Sequence, residues 1–473
     1  MRITNAGSML ESAKWAEMRA WARYTTIIRL VGFVSILCMP FSLWALFWSS
    51  PGDYPFFPSM LYVLLVTCCC VLMFNLLRPG DRFVKLLFGI GIAAHLVATG
   101  AYVWMGFNVY GGDALDYWSA GLNLAEQFSV VGWAAFHPPY SSSNLVCNIC
   151  GIITLVTGNA LPTLFVIFSL TALLGGYFFY RAFCLAFPQG NMGLYGLLVV
   201  LLPSIVFWSS AIGKDALEQL FIGISAYGFA RVTKRLDAPA ILVCIIGAAG
   251  TIAIRPHIGA IVAMSMLVPF AISKTRGGWM TMAAKILLLP LLAAGTLLIV
   301  GQSEEFVGMQ NNDLASAIKT LNSQQKNVNY GGSSVNEGAS LPRRIGESPF
   351  IMFRPLPWEV HNAAAGISSL EGMGLLLVCW GKRREFWALL RSWREPYVGF
   401  LLLYSLEFSV IVAAATGNFG ILVRQRIMLV PIALMLFCAK RSAAAVAVRR
   451  PVMQRNPGLG HLIPAPLSNR AGF

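Results

Sequence analysis

The chain has 473 residues, of which 57% are hydrophobic and 12% are charged, and its mean hydropathy is +0.67. This composition excludes an ordinary soluble protein, because the apolar runs suffice for about a dozen membrane spans of roughly 20 residues each. The net charge of +15 does not indicate nucleic-acid binding, since the basic residues lie near the ends of the apolar runs, where they anchor cytoplasmic loops.

The order of the apolar runs predicts an all-α, polytopic transmembrane helical bundle of about 12 spans. An amphipathic cytoplasmic N-terminus (1–29) precedes two extra N-terminal spans (30–85), a larger core follows (86–440), and a basic cytoplasmic tail (441–473) comes last. The predicted spans cover 30–48, 59–77, 86–107, 159–180, 193–211, 215–231, 238–254, 257–273, 279–300, 362–380, 397–416 and 420–439. The positions of Lys and Arg place both termini on the cytoplasmic side.

Two long loops, 108–158 and 301–361, fall on the outer side in this topology. The first contains the apolar segment 144–158, and counting that segment as a span would move every later basic cluster to the outside. We therefore expect it to form a re-entrant or interface-lying helix. No Lys or Arg occurs anywhere in 86–180, so this loop carries acids without basic neighbours in sequence.

The acids of the first outer loop lie in the stretch "GGDALDYW". Asp113 and Asp116, together with Glu126, are the only acidic residues in 86–180. In a helix, the D-x-x-D spacing sets the first two carboxylates on one face. Acids this scarce, placed in a loop that can fold over the outer end of the bundle, predict a functional role.

Charged residues and histidines also lie at the outer ends of spans, where anchoring does not require them. They are Lys214 and Asp215 in "GKDALEQ", Arg255 and His257 in "AIRPHIG", Arg354, Glu359 and His361 in "FRPLPWEVHN", and Arg424 and Arg426 in "VRQRIMLVP". A charge at a span centre costs about 2.5 to 3.5 kcal/mol on insertion scales, so several charges at one depth need partners or water. Local pairing or snorkelling into headgroups explains any single one, but five cations opposite an acidic loop indicate a shared site.

Prolines follow two of these cations directly, at Pro256 and Pro355, and Pro203 lies before Lys214. Proline frees a backbone carbonyl and stops or kinks a helix. Broken helices at membrane depth are tolerated where they line a cavity. The sequence thus predicts an outward-facing polar cavity ringed by cations, and arginine is suited to binding phosphate with paired donors.

These motifs resemble the GT-C superfamily of integral membrane glycosyltransferases. Asp113 matches the acidic residue of the first long outer loop, and "RQRIMLVP" is similar to the arginine-containing stretch that opens a late span in several branches. The stretches "LLPSIVFWSSAIGKDAL" and "FRPLPWEVHN" look like motifs of bacterial membrane proteins of exopolysaccharide assembly. The resemblance implies transfer of a sugar from a polyprenyl-linked donor to a glycan or lipid-linked acceptor, on the extracytoplasmic face of a bacterial inner membrane.

The resemblance also implies roles for individual residues. Asp113 would be the base that activates the acceptor hydroxyl, and Asp116 would orient it or bind a cation, so a divalent cation is left open as a cofactor. The predicted phosphate contacts are Arg255, Arg424 and Arg426 first and Lys214 and Arg354 next. His257, His361, Glu359 and Asp215 are candidate bases or substrate contacts, and Tyr117 and Trp118 are candidates for stacking on a sugar ring.

Two other classes fit the same features. A polysaccharide polymerase or ligase would use a lipid-linked oligosaccharide on the same face, with 301–361 as its late outer loop. A transporter or flippase of anionic lipid-linked sugar would use the charges as a translocation path. The placement of most charges at span ends, with Glu371 and Glu407 as exceptions, favours an enzyme over a transporter.

Overall fold

The computed structural model describes residues 4–49, 54–77, 81–110, 113–136, 142–273 and 341–440. Throughout these ranges every regular element is a helix, which confirms the all-α prediction. The predicted span 279–300, most of the outer loop 301–361 and the tail 441–473 lie outside the described residues.

The helices of the first part of the chain are α1 (Thr4–Trp48), α2 (Phe56–Leu77), α3 (Arg82–Met105), α4 (Asp113–Val131), α5 (Ser142–Thr157), α6 (Leu161–Ala186), α7 (Met192–Leu201), α8 (Pro203–Trp208), α9 (Lys214–Lys234), α10 (Ala238–Ile254) and α11 (Pro256–Ile272). A π-helical turn (Gly106–Tyr110) extends α3, and a 3₁₀ turn (Gly132–Ala135) follows α4. The later helices are α12 (Leu341–Gly346), α13 (Ala363–Gly381), α14 (Arg383–Leu390), α15 (Pro396–Ala415) and α16 (Phe419–Cys438), with 3₁₀ turns at Ser348–Phe350 and Pro357–Glu359.

Seven helices in the described ranges are long and apolar enough to cross a membrane. They cover Ala22–Trp48, Phe56–Leu76, Arg82–Asn108, Leu161–Ala186, Ala363–Gly381, Pro396–Ala415 and Phe419–Cys438. Four shorter apolar helices accompany them, at Ser142–Thr157, Met192–Trp208, Ala238–Ile254 and Pro256–Ile272. The multi-pass membrane character is therefore confirmed, whereas the count of 12 spans remains a prediction.

The predicted span 193–211 is two helices, α7 and α8, that meet at Leu202. Pro203 begins α8 and has no N–H to continue the hydrogen bonding of α7, so the helix restarts at this residue. A similar break separates α10 from α11, where Arg255 has an extended backbone (φ −138°, ψ 96°) and Pro256 begins the next helix. Both breaks interrupt apolar sequence, and the second one leaves Arg255 between two helices.

Helix α9 packs against α6, α10, α15 and α16, although it is not one of the seven long apolar helices. It packs along α6, where a Cβ on Gly175 would lie 2.3 Å from the backbone oxygen of Gln219, so only glycine permits this approach. On another side it packs on α10, where a Cβ on Gly228 would meet the backbone of Cys244 at 2.5 Å. These close contacts fix α9 and the charged residues at its N-terminus.

Helix α5 lies across one end of the bundle. At its start, Lys214 donates to the Ser142 hydroxyl (2.9 Å), and near its end the Tyr62 hydroxyl donates to the Val156 carbonyl (3.1 Å). Lys214 begins α9 and Tyr62 lies in the second turn of α2, and both helices start at the same end as α6. This geometry supports the interface-lying form of the segment expected at 144–158.

Candidate active site

Three breaks between helices place the site residues at the end of the bundle where α5 lies. The turn after α8 leads into α9, so that Lys214 and Asp215 are its first two residues. The break at Pro256 leaves Arg255 between α10 and α11. Asn418 caps α16 by accepting from the N–H of Gly420 (2.7 Å), which starts the helix and places Arg424 in its second turn.

Asp215 joins these elements. Its carboxylate accepts a hydrogen bond from Nη2 of Arg255 (2.8 Å) and another from Nε of Arg424. Nη1 of Arg424 also lies 3.8 Å from Oδ2 of Asp113, the first residue of α4. Nζ of Lys214 donates a hydrogen bond to the Ser142 hydroxyl. We call these five side chains, Asp113, Lys214, Asp215, Arg255 and Arg424, the open ion cluster.

The members of the open ion cluster differ in exposure. The Asp215 side chain is 4% exposed, Arg424 is 29% exposed and Asp113 is 62% exposed. Three cations and two carboxylates leave one net positive charge. Asp215 is a buried anchor whose cost of desolvation is offset by two charge-assisted hydrogen bonds. Asp113 and the outer part of Arg424 remain available to a ligand.

Aromatic and imidazole side chains lie beside the cluster. Tyr117 is buried next to Gly213, where a Cβ would be 3.7 Å from its ring and 3.9 Å from Nη2 of Arg424. Burial raises the pKa of the Tyr117 hydroxyl, so it acts as a neutral hydrogen-bonding group with Ser143. Trp118 is half-buried. The stacking of these two residues on a sugar ring stays a prediction. In the structure, the buried Tyr117 lines the site.

His257 follows Arg255 at the start of α11. The two residues line a narrow crevice with Gln425 and Met428 of α16. Arg255 also contacts Met428, with 3.5 Å between Nη1 and the sulfur. His257 is therefore close enough to the open ion cluster for its candidate role as a base to remain.

A second set of predicted residues forms a different assembly. Arg354 donates to Glu347 (Nη1 to Oε2, 2.7 Å) and with Nε and Nη2 to Glu359. Arg426 donates to the Arg354 carbonyl (2.7 Å) and to Oε1 of Glu371 (2.7 Å). We call these five residues the closed ion network.

The arginines of the closed ion network are buried, whereas the Glu347 and Glu359 side chains are 28% and 15% exposed. Arg426 is 0% exposed and Arg354 is 4% exposed. Glu371 also accepts from the backbone N–H of Ser204, at the start of α8 (2.7 Å), so the network attaches α13 and α16 to the α7–α8 break. Both guanidinium groups are directed at protein carboxylates, which gives them a structural role as placed.

The structure thus divides the predicted site residues into groups. Asp113, Lys214, Asp215, Arg255 and Arg424 come together, with Tyr117 and His257 next to them. Arg354, Glu359 and Arg426 belong to the closed ion network. Asp116 is exposed one turn after Asp113, and His361 is exposed between the last 3₁₀ turn and α13; among the described residues, neither forms a hydrogen bond or ion pair with the open ion cluster.

Sequence reasoning did not assign roles to Glu347, Glu371 and His95, which the structure places in buried or partly buried polar contacts. Glu347 and Glu371 are the carboxylates that hold Arg354 and Arg426. His95 is buried in α3, with Nδ1 3.1 Å from the Ser169 hydroxyl and 3.4 Å from that of Ser210. An isolated polar residue inside an apolar run was the available signal for Glu371 and His95.

No metal centre is evident in the part of the chain that the structure describes, where no three His, Cys, Asp or Glu side chains come together. Comparisons with protein-family models, with curated proteins and with solved structures each found no match. Function is therefore inferred from the geometry of the open ion cluster.

Proposed function

We propose that the protein is a membrane glycosyltransferase that moves a sugar from a polyprenyl-linked donor to an acceptor hydroxyl, in the assembly of cell-surface polysaccharide or glycolipid. The observation that carries the proposal is the contact between an exposed carboxylate and a partly exposed guanidinium, Asp113 and Arg424, 3.8 Å apart at one end of a bundle of apolar helices. A donor of this class has an apolar tail for the lipid phase and a phosphate for the cations.

The chemistry needs two kinds of group. The bond between the anomeric carbon and the phosphate oxygen breaks, and the phosphate leaves on the carrier with the electron pair, so cations must stabilise it. Arg424, Arg255 and Lys214 supply that charge. The new bond forms from the acceptor oxygen, whose proton passes to a base, and Asp113 is the exposed carboxylate beside the cations.

Asp215 acts in this proposal through the arginines. It accepts from Arg255 and Arg424, which come from different helices, and holds both guanidinium groups at one place before the donor arrives. Groups arranged in advance cost no reorganisation at the moment of reaction. Asp215 is therefore a positioning residue, and its earlier candidacy as a base is not part of the proposal.

The experiment uses the whole protein in proteoliposomes, with a polyprenyl-phosphate-linked radiolabelled sugar and a lipid extract of bacterial envelope as the acceptor pool. We expect label to move into a new product with the wild type and with the control variant Asp237→Asn, whose side chain caps α10 at the opposite end of the bundle. Asp113→Asn should leave the label on the donor. A ladder of growing products would indicate a polymerase instead, and an unmodified donor that crosses the bilayer would indicate a transporter; either result overturns the proposal.

A further inference from the structure

Glu218 is a buried carboxyl group that accepts no hydrogen bond from the part of the chain that the structure describes. It lies on α9 one turn after Asp215, it is 0% exposed, and no described residue donates a hydrogen bond to either of its oxygens. Other acids inside the bundle have donors: Asp215 has two arginines, Glu371 has Arg426, and Glu407 has the Ser265 hydroxyl (2.9 Å). Buried polar groups are rarely left without a partner, so Glu218 requires an explanation.

The charged surroundings of Glu218 are those of the open ion cluster. Lys214 and Asp215 act on it electrostatically from its own helix, and Arg255 does so from the break between α10 and α11. Tyr404 of α15 also interacts with it electrostatically, and the Tyr404 hydroxyl donates to the Met428 carbonyl (3.3 Å). The cations of the cluster therefore act on Glu218 electrostatically, but none of them donates a hydrogen bond to it.

The ligand that fits such a group is a proton. A metal ion would need several oxygen or nitrogen ligands around it, and the described residues hold no cluster of three acidic, histidine or cysteine side chains. Lys214 and Arg255 would also repel a metal cation. A proton needs no further ligand, and it removes the charge that burial in an apolar interior makes costly.

We infer that Glu218 is a proton-binding site whose occupancy rises when an anion binds to the open ion cluster. Burial favours the protonated carboxyl, and without an anion the positive field of Lys214 and Arg255 opposes that protonation. A bound phosphate cancels part of that field, so the carboxylate takes a proton from the aqueous phase. This inference rests on the proposed function, because it requires a phosphate at the cluster, and it adds that donor binding is coupled to proton uptake.

The coupling has a measurable sign. When a ligand binds together with one proton, its affinity falls about tenfold for each unit that the pH rises, over the range in which the proton is taken up. A suitable probe is methyl farnesyl phosphate, a phosphodiester whose single charge does not titrate near neutral pH. Any proton taken up on binding then belongs to the protein.

The experiment measures binding of methyl farnesyl phosphate to the full chain in nanodiscs by calorimetry, in buffers of different ionisation enthalpy and across the neutral pH range. We expect the wild type to take up protons and its affinity to fall with rising pH. The Glu218→Gln variant should bind the probe without taking up this proton. Its affinity for the probe should then change little with pH. Glu407→Gln, which alters another intramembrane carboxyl, should behave like the wild type.

Three results would overturn the inference. Equal proton uptake by the wild type and Glu218→Gln would remove Glu218 as the site, and loss of uptake only in His257→Gln would assign the proton to His257. Absence of probe binding by the wild type would overturn the anion site and with it the proposed function. If Glu218→Gln does not insert, Glu218→Leu gives a second neutral side chain, and unchanged uptake in that variant has the same meaning.

Discussion

The open ion cluster and the closed ion network share one helix and use it in opposite ways. Arg424 and Arg426 are two residues apart on α16, which separates their directions by roughly 200° around the helix. Arg424 contacts Asp215 and Asp113 and is 29% exposed, whereas Arg426 contacts Glu371 and is 0% exposed. Two arginines that look equivalent in "VRQR" thus meet different partners.

The difference lies in the balance of charge and exposure. The closed ion network pairs its two buried arginines with three carboxylates, and it joins the 347–359 segment to α13, α16 and α8. The open ion cluster has an excess of cations and keeps its outer carboxylate in contact with solvent. Internal pairing suits a structural connection, and uncompensated positive charge suits an anionic ligand.

Removing the exposed carboxylate gives the largest expected change in activity. Asp113→Asn keeps the size of the side chain but cannot accept a proton, so sugar transfer should fall by about 100-fold to 10,000-fold, the usual contribution of a positioned base. Binding of the donor should persist, because the cations remain. Turnover near the wild-type rate would contradict the assignment, and His257 and His361 would be the next residues to substitute.

Breaking the closed ion network should act on folding. Arg426→Gln leaves Glu371 buried without its cation, which typically costs about 3 to 5 kcal/mol. We expect a lower unfolding temperature, measured by tryptophan fluorescence in detergent. Adding Glu371→Gln to this variant should partly restore the unfolding temperature. The partly exposed pair of Lys382 and Glu385, 3.4 Å apart, supplies the control, since Lys382→Gln should cost no more than about 1 kcal/mol.

A stable Arg426→Gln variant with weakened donor binding would contradict this division of roles. It would return Arg426 to the set of phosphate contacts that the sequence predicts.

Removing the buried anchor should separate catalysis from binding. Asp215→Asn no longer holds Arg255 and Arg424 in place, and a displacement of about 1 Å in a catalytic group can cost about 100-fold in rate. The net charge of the open ion cluster rises by one, so affinity for methyl farnesyl phosphate should not fall. Steady-state kinetics measures the expected loss of rate, and calorimetry measures the affinity for the probe. A parallel loss of rate and affinity would make Asp215 a substrate contact.

Removing the exposed cation should act on donor binding. Arg424→Gln takes away a charged hydrogen-bond donor worth about 1.5 to 3 kcal/mol, so affinity for methyl farnesyl phosphate should fall by about 10-fold to 100-fold. The unfolding temperature should change less than in Arg426→Gln. If the Arg424→Gln variant and the wild type bind the probe with equal affinity, the proposed difference in function between Arg424 and Arg426 is wrong.

Much of this architecture could be predicted from sequence because it depends on local patterns. Apolar length gave the helices, and the prolines at 203 and 256 marked where helices break. The convergence of Asp113, Lys214, Arg255 and Arg424 followed from placing each of them at an outer helix end. Such inferences need only the order of the spans and the side on which each span ends.

Partner choice could not be predicted because it depends on packing between distant segments. Arg426 and Glu371 are 55 residues apart, and Arg424 and Asp215 are 209 residues apart. Sequence reasoning put Arg426 with the phosphate contacts because nothing local distinguishes it from Arg424. The rotation of α16 against α13 and α9 decides which arginine is buried, and that rotation is set by the whole core.

Asp116 gives the smallest expected effect and sharpens the assignment of Asp113. Both acids lie in the first turn of α4, but only Asp113 approaches Arg424. An acid in a first helical turn is favoured by the helix dipole by about 0.3 to 1 kcal/mol, which explains Asp116 without any catalytic role. Asp116→Asn should therefore lower sugar transfer by no more than about fivefold, in the same radiolabel assay as Asp113→Asn. A loss as large as that of Asp113→Asn would mean that the two carboxylates act together, and a dependence of both variants on added Mg²⁺ or Mn²⁺ would then point to a shared cation.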